Sequence, residues 1–277
     1  KLLSVNSIQN YVVALLKNEL VVIDTLPFEI VSTIPLDSNF NYTNFCSFEF
    51  GEDVIIAVCG GLKTIDKEKF SENGLILFVK NFNEIVENST ISTKGLPTAV
   101  TFVNNALFVA SGPTIARYSV SKELQFTLAK EAPGMMLTSE LIVNRPTAET
   151  VHIAIVDAFK SVAVFDFNLH RIATDFLAKY LVAGCNESEN SFLATDSRGG
   201  VYLMKVSEDR VNVEARMSLG ETVTGILPWR PVNQDILNNC GIFSAVSSRG
   251  SIVAFLTRID QKLFGSMEKL QKAMESY

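Results

Sequence analysis

Histidine is almost missing from this 277-residue sequence: His152 and His170 are the only two. His152 falls in an apolar run, "VHIAIVDA", and His170 in a polar turn, "FNLHRIA". Neither has a metal-ligating neighbour at helical or CxxC spacing, so both read as structural or surface residues. Cysteine is scarce too. Cys46, Cys59, Cys185 and Cys240 never reach CxxC spacing and mostly lie in or beside apolar runs. They read as reduced, buried thiols rather than as a disulfide framework. A GxSxG elbow is absent, and "CGGLKT" (Cys59–Thr64) has the glycines of a phosphate loop without its GxxxxGK[ST] frame. No apolar run reaches the roughly eighteen residues of a membrane span, and no membrane partner is expected. Carboxylates are scattered. Asp157, Asp166 and Asp196 stand where turn caps stand, and no acid–base pair emerges. The sequence therefore reads as a binding module with no cofactor and no metal, not as an enzyme.

Positive charge is also in deficit: 24 Lys and Arg against 30 Asp and Glu give a net charge of −6, with a pI near 5.1. A surface that tracks phosphates normally needs a basic balance, which argues against direct nucleic-acid binding. Only 19% of residues are charged and 47% are hydrophobic. A chain this long and apolar buries a substantial core, and its low charge suggests apolar surface covered by another molecule.

What the sequence does have is repetition. "SRGGVYLM" (Ser197–Met204) and "SRGSIVAF" (Ser248–Phe255) share a Ser-Arg-Gly triplet followed by an apolar run. Weaker copies are "ENGLILFV", "SGPTIARYSV" and "AFKSVAVFDF". From Gly74 the anchors fall at Pro113, Ser161, Gly200 and Ser251, in steps of 39, 48, 39 and 51 residues. Before each lies a second strand-like run, such as "DVIIAVCG", "NALFVASG" or "NSFLATDS". Strand, tight polar turn, strand is a hairpin, and Ser-Arg-Gly is its turn. A step of about 40–50 residues is that of a β-propeller, one four-stranded blade per step. "KNELVVID" (Lys17–Asp24) is an earlier copy. After Arg258 the pattern changes. Leu263, Met267, Leu270 and Met274 share one face of an amphipathic helix. The expected division is a propeller over 1–258 and, over 259–277, a helix that begins a helical domain.

At finer grain the chain resembles one family. "NELVVIDTLPFEIV", "EDVIIAVCGG" followed by "NGLILFV", "LPTAVTFVNNALFVASGPTIARYSV", "SLGETVTGI" and "RGSIVAFLTRIDQKLFGSMEKLQKAM" run in the order of matching family stretches. The family is that of the damage-specific DNA-binding protein large subunit. It also holds the largest subunit of the cleavage and polyadenylation specificity factor and a splicing-factor subunit. The resemblance implies an all-β fold, a seven-bladed propeller, complete or with one incomplete blade, followed by a C-terminal α-helix. It implies the third of three propellers in a nuclear, non-enzymatic scaffold. In ubiquitin-ligase members the cullin binds a propeller outside this region, and this region forms one wall of a cleft that grips helical docking segments of substrate receptors. A silencing relative adds histone methyltransferase complex subunits to the partners, and other members are scaffolds of mRNA 3′-end processing or splicing. The short helical exit is closer to the ligase type.

The same resemblance points to partner-binding positions. Lys160 stands in the "DAFKSV" step, where ligase adaptors carry Arg, and Tyr180 stands where they carry Trp. Met135 and Met136 match a Met-containing strand of the same wall. Asp196 and Ser197 match a polar turn, and Ser248 opens the second Ser-Arg-Gly copy.

Overall fold

Strands that are apolar on both faces need a sheet against each face, and stacking sheet on sheet supplies it everywhere but at the two ends. The structure, a computed structural model, describes residues 2–63, 74–86, 89–229, 241–257, 265, 266, 269 and 272–274. Its strands form six consecutive antiparallel meanders. The first holds β1 (Leu2–Ile8), β2 (Tyr11–Leu16), β3 (Glu19–Asp24) and β4 (Glu29–Pro35). The second holds β5 (Phe40–Phe50), β6 (Asp53–Leu62) and β7 (Gly74–Lys80), whose outer edge pairs with the short β8 (Glu84–Ile85) and β9 (Ile91–Thr93). The third runs β10 (Pro97–Val103), β11 (Ala106–Ser111), β12 (Thr114–Val120) and β13 (Phe126–Pro133). The fourth runs β14 (Thr138–Asn144), β15 (His152–Asp157), β16 (Ser161–Asp166) and β17 (Arg171–Asp175). The fifth runs β18 (Leu181–Asn186), β19 (Ser191–Asp196), β20 (Gly200–Ser207) and β21 (Arg210–Ser218). A single parallel bridge, Thr174 to Arg210, joins the outer strands of the fourth and fifth into one eight-stranded sheet. The sixth has three described strands, β22 (Val223–Trp229), β23 (Gly241–Ser247) and β24 (Ile252–Thr257).

The first strands of successive meanders stand side by side: β1, β5, β10, β14, β18, β22. The Ser139 hydroxyl donates to the Leu181 carbonyl at one end of β14 and β18, and Asn144 Nδ2 to Asn186 Oδ1 at the other. Neighbouring sheets are thereby held in parallel alignment, as propeller blades are. The core is a series of layers between them. On β11, Leu107 and Val109 pack toward the second meander, while Phe108 and Ala110 pack toward the fourth. On β15, Ile153 and Ile155 join the third, while Ala154 and Val156 join the fifth. A strand buried on both faces must be apolar at every position, which is why these runs show no alternation. Among the described residues the end sheets have one partner each. The far face of the first exposes Val5 and Ile30, and that of the sixth exposes Leu227 and Ile252.

The repeated triplet is the turn between the second and third strands. Gly199 and Gly250 both take left-handed backbone, with φ of 88° and 86°, which glycine adopts without a Cβ penalty. Their surroundings differ. A Cβ on Gly199 would meet the Glu221 carbonyl at 2.5 Å, whereas one on Gly250 would meet nothing within 4 Å. Gly199→Ala is expected to cost about 2–3 kcal/mol, and Gly250→Ala only about 1 kcal/mol of backbone strain. Urea midpoints of the two variants check this, and equal losses would contradict it.

Cys46 and Cys59 are buried and Cys185 half-buried, all as free thiols; Cys240 lies outside the described residues. So do Leu263, Met267 and Leu270 of the expected helical face. Residues 265, 266, 269 and 272–274 are helical, and the Met274 side chain is exposed. No helix among the described residues is long and apolar enough to cross a membrane.

Candidate protein-binding face

From the third meander to the sixth, the connection arriving from the previous sheet and the turn between the second and third strands lie at the same end, here called the upper face. Backbone bonds tie the two together: Ala158 N–H to Leu137 O (2.9 Å), Ser197 N–H to Tyr180 O (2.9 Å) and Ser248 N–H to Thr222 O (2.8 Å). All seven residues singled out above belong to this end of the sheets. Met135 and Met136 are not on a strand; they lie on the connection before β14, whose first residue is Thr138. Met135 is buried in the layer between the third and fourth meanders, and Met136 is exposed. Lys160 is exposed on the β15–β16 turn. Ser197 and Ser248 are exposed on the corresponding turns of the fifth and sixth meanders.

The carboxylates of this face point inward. Asp157 is fully buried. Its Oδ1 accepts from Phe159 and Lys160 N–H (both 2.8 Å) and its Oδ2 from Leu137 N–H (2.6 Å). Asp175 Oδ2 accepts from the Ser161 hydroxyl (2.5 Å) and from Leu177 and Ala178 N–H (both 3.1 Å). Asp196 is buried as well. It accepts from Arg198 and Gly200 N–H and from the Tyr202 hydroxyl (2.6 Å). Burial alone would raise its pKa. The Tyr202 hydroxyl and the two N–H groups outweigh that and hold the carboxyl below its usual range. Asp196 is a turn cap, and its oxygens are committed.

Capping of these turns pushes apolar side chains outward. Met136 and Leu137 precede β14, Phe159 tips the β15–β16 turn, and Phe176, Leu177 and Tyr180 line the connection from β17 to β18. Leu177 is 84% exposed and Phe176 60%. Asp157 binds the Leu137 and Phe159 backbones, and Asp175 pairs with Ser161 beside that turn, so these segments are adjacent. Tyr180 has a left-handed φ of 62°, uncommon for a bulky residue. The Arg198 guanidinium covers its ring at 5.2 Å from the centroid. A contiguous apolar surface held on capped, rigid loops suits protein binding. Sequence reasoning passed over Leu137 and Leu177, whose exposure nothing local marks, and read Arg198 only as part of a turn.

The opposite end differs. The charged lining of a cleft of about 700 Å³ between the second and third meanders is mostly acidic, with Glu49, Glu52, Asp53, Glu84 and Glu123 against Lys122 and Lys80, the latter paired to Asp53 at 2.8 Å. His170 Nδ1 meets Asp166 Oδ2 at 2.9 Å on the β16–β17 turn, and the neighbouring His152 is held below its usual pKa by burial. Among the described residues no cluster of His, Cys, Asp and Glu is arranged to hold a metal.

Residues 17–277 match the family described as the CPSF A subunit region. No curated protein matches the chain.

Proposed function

We propose, since the chain belongs to the CPSF A subunit region family, that it is a scaffold whose upper face holds a partner protein and that it has no catalytic chemistry of its own. The exposed surface of Met136, Leu137, Phe159, Phe176, Leu177 and Tyr180 carries this reading. The finer reading is a nuclear adaptor of a cullin-type ubiquitin ligase. It would hold a helical docking segment of a substrate receptor, or a histone methyltransferase complex subunit, while the cullin binds another propeller of the same protein. The ring would be seven-bladed, its seventh sheet lying between the bare apolar faces of the first and sixth meanders, followed by the helix over 259–277. Purification of the full-length protein at mild salt, with mass spectrometry of its companions, tests the assignment. A cullin with receptors supports it. Polyadenylation or splicing subunits would replace it with the RNA-processing scaffold.

Tyr180 offers a sharper check. Tyr180→Ala is expected to weaken the partner so identified by about 1–3 kcal/mol, or 5- to 150-fold. Tyr180→Gly suits the left-handed backbone, so it should lose the same affinity while keeping or raising the melting temperature. Unchanged affinity in both folded variants would remove Tyr180 from the site.

A further inference from the structure

We infer that the segment held on the upper face is acidic as well as apolar: a peptide with carboxylates flanking Leu, Phe or Met anchors. The inference rests on the protein-binding reading above and adds the partner's chemistry. It comes from the way the fold separates its charges. Around the apolar patch the exposed charges are cationic: Lys160 on the β15–β16 turn, Lys179 on the β17–β18 connection and Arg198 on the β19–β20 turn. Among the described residues none of the three forms an ion pair. Asp157, Asp175 and Asp196, the acids of the same loops, are turned inward and saturated by N–H and O–H donors. On the flanks Lys94 meets Glu131 only at 3.9 Å, and the Glu221 carboxylate beside Arg249 is engaged by the Ser247 hydroxyl. The chain's excess of acid lies elsewhere, on the lower turns that carry Glu49, Glu52, Glu84 and Glu123. A protein of net charge −6 thus presents a cationic rim around its apolar patch. Such a rim attracts an anionic segment and orients it, and the acidic lower face repels it from the wrong end.

A nucleic acid is also anionic, but the patch does not suit one. Three of its six exposed side chains, Met136, Leu137 and Leu177, are aliphatic and give bases no face to stack on, and the Tyr180 ring is covered by Arg198, which leaves Phe159 and Phe176 as the aromatic faces open to a base. Arg198, the one guanidinium of the group, is laid over the Tyr180 ring instead of being free for bidentate phosphate contact.

The test is selection of a displayed random 16-residue peptide library on the full-length protein, followed by binding of the enriched peptides to variants. The expected set is enriched in Asp and Glu together with Leu, Phe or Met. Its affinity should fall at least tenfold in Lys160→Glu/Lys179→Glu, fall similarly in Leu177→Asp, weaken with salt, and survive Glu52→Lys/Glu84→Lys on the lower face. Enriched peptides without acid bias that lose binding in Leu177→Asp alone would overturn the inference and leave the protein-binding face standing. Peptides indifferent to every upper-face variant, or no enrichment at all, would overturn both. A random-sequence single-stranded RNA that binds tighter than any peptide, and is lost in Lys160→Glu/Lys179→Glu, would replace the inference with a nucleic-acid surface.

Discussion

Asp157→Ala is expected to lower the unfolding free energy by about 3 kcal/mol or more and to weaken partner binding with it. The carboxylate is fully buried and accepts from three backbone N–H groups, those of Leu137, Phe159 and Lys160. Each buried donor left without an acceptor costs about 1–3 kcal/mol, less where water enters the loop. Both apolar side chains that Asp157 positions, Leu137 and Phe159, belong to the proposed contact surface, so the loop should loosen as the stability falls. Lys160→Ala is the control. It removes an exposed charge and leaves its N–H on Asp157, so its stability should stay within about 0.5 kcal/mol of the parent. Urea midpoints of the two variants decide the matter. A midpoint for Asp157→Ala equal to that of Lys160→Ala would mean that the carboxylate does not hold the turn.

Glu140 has the second large effect, and its sign is opposite. It lies on β14, one of the innermost strands, near Cys46 of β5 and Cys185 of β18, whose thiols are raised first by burial and then by the Glu140 charge. Burial pushes the Glu140 carboxyl up to about 7, and one hydrogen bond to the Leu141 backbone offsets little of it. A carboxyl raised in the folded state binds more protons there than in the unfolded chain. The resulting penalty is absent below the usual carboxylate range, grows as pH rises toward 7 and is complete above it. A shift of this size corresponds to about 3 kcal/mol. Glu140→Gln should therefore stabilise the protein by up to about that amount at pH 8 and have little effect at pH 4.5. The acids held below their usual range, Asp166 and Asp196 among them, titrate equally in both proteins and cancel in the difference. Urea midpoints of parent and variant between pH 4.5 and 8 provide the measurement, and curves that stay parallel would show that Glu140 keeps its ordinary pKa.

Not all strands were equally visible in the sequence. The second and third strands of the meanders, such as "ALFVAS" of β11 and "SVAVFD" of β16, are buried on both faces and read as unbroken apolar runs. The outer strands show no such pattern. In β21, "RVNVEARMS", only Val211 is buried, because the strand has solvent along its edge. The innermost strands face the axis and carry Glu140, Asn144 or Cys185 among their apolar residues. That mixture resembles neither a buried nor a half-buried strand. The hairpin turns were visible because a turn's chemistry is local: Gly199 and Gly250 meet a backbone requirement that two or three residues impose on one another.

The sequence by itself determined the repeat, its step and the turn at each hairpin tip, because apolar periodicity and turn chemistry act over a few residues. It also pointed to Lys160, Tyr180 and Met136, which the structure leaves exposed on one face. Only the tertiary structure decided which residues face outward together. Met135 and Met136 are adjacent in the chain, yet one fills the core and the other meets solvent. Asp157 and Asp196 look like surface carboxylates until the turns fold around them. The patch draws on three segments between Met136 and Tyr180, and the Arg198 guanidinium reaches it from a fourth. Exposure is settled by what the neighbouring sheets cover, and that is a property of the assembled sheets rather than of any local run of residues.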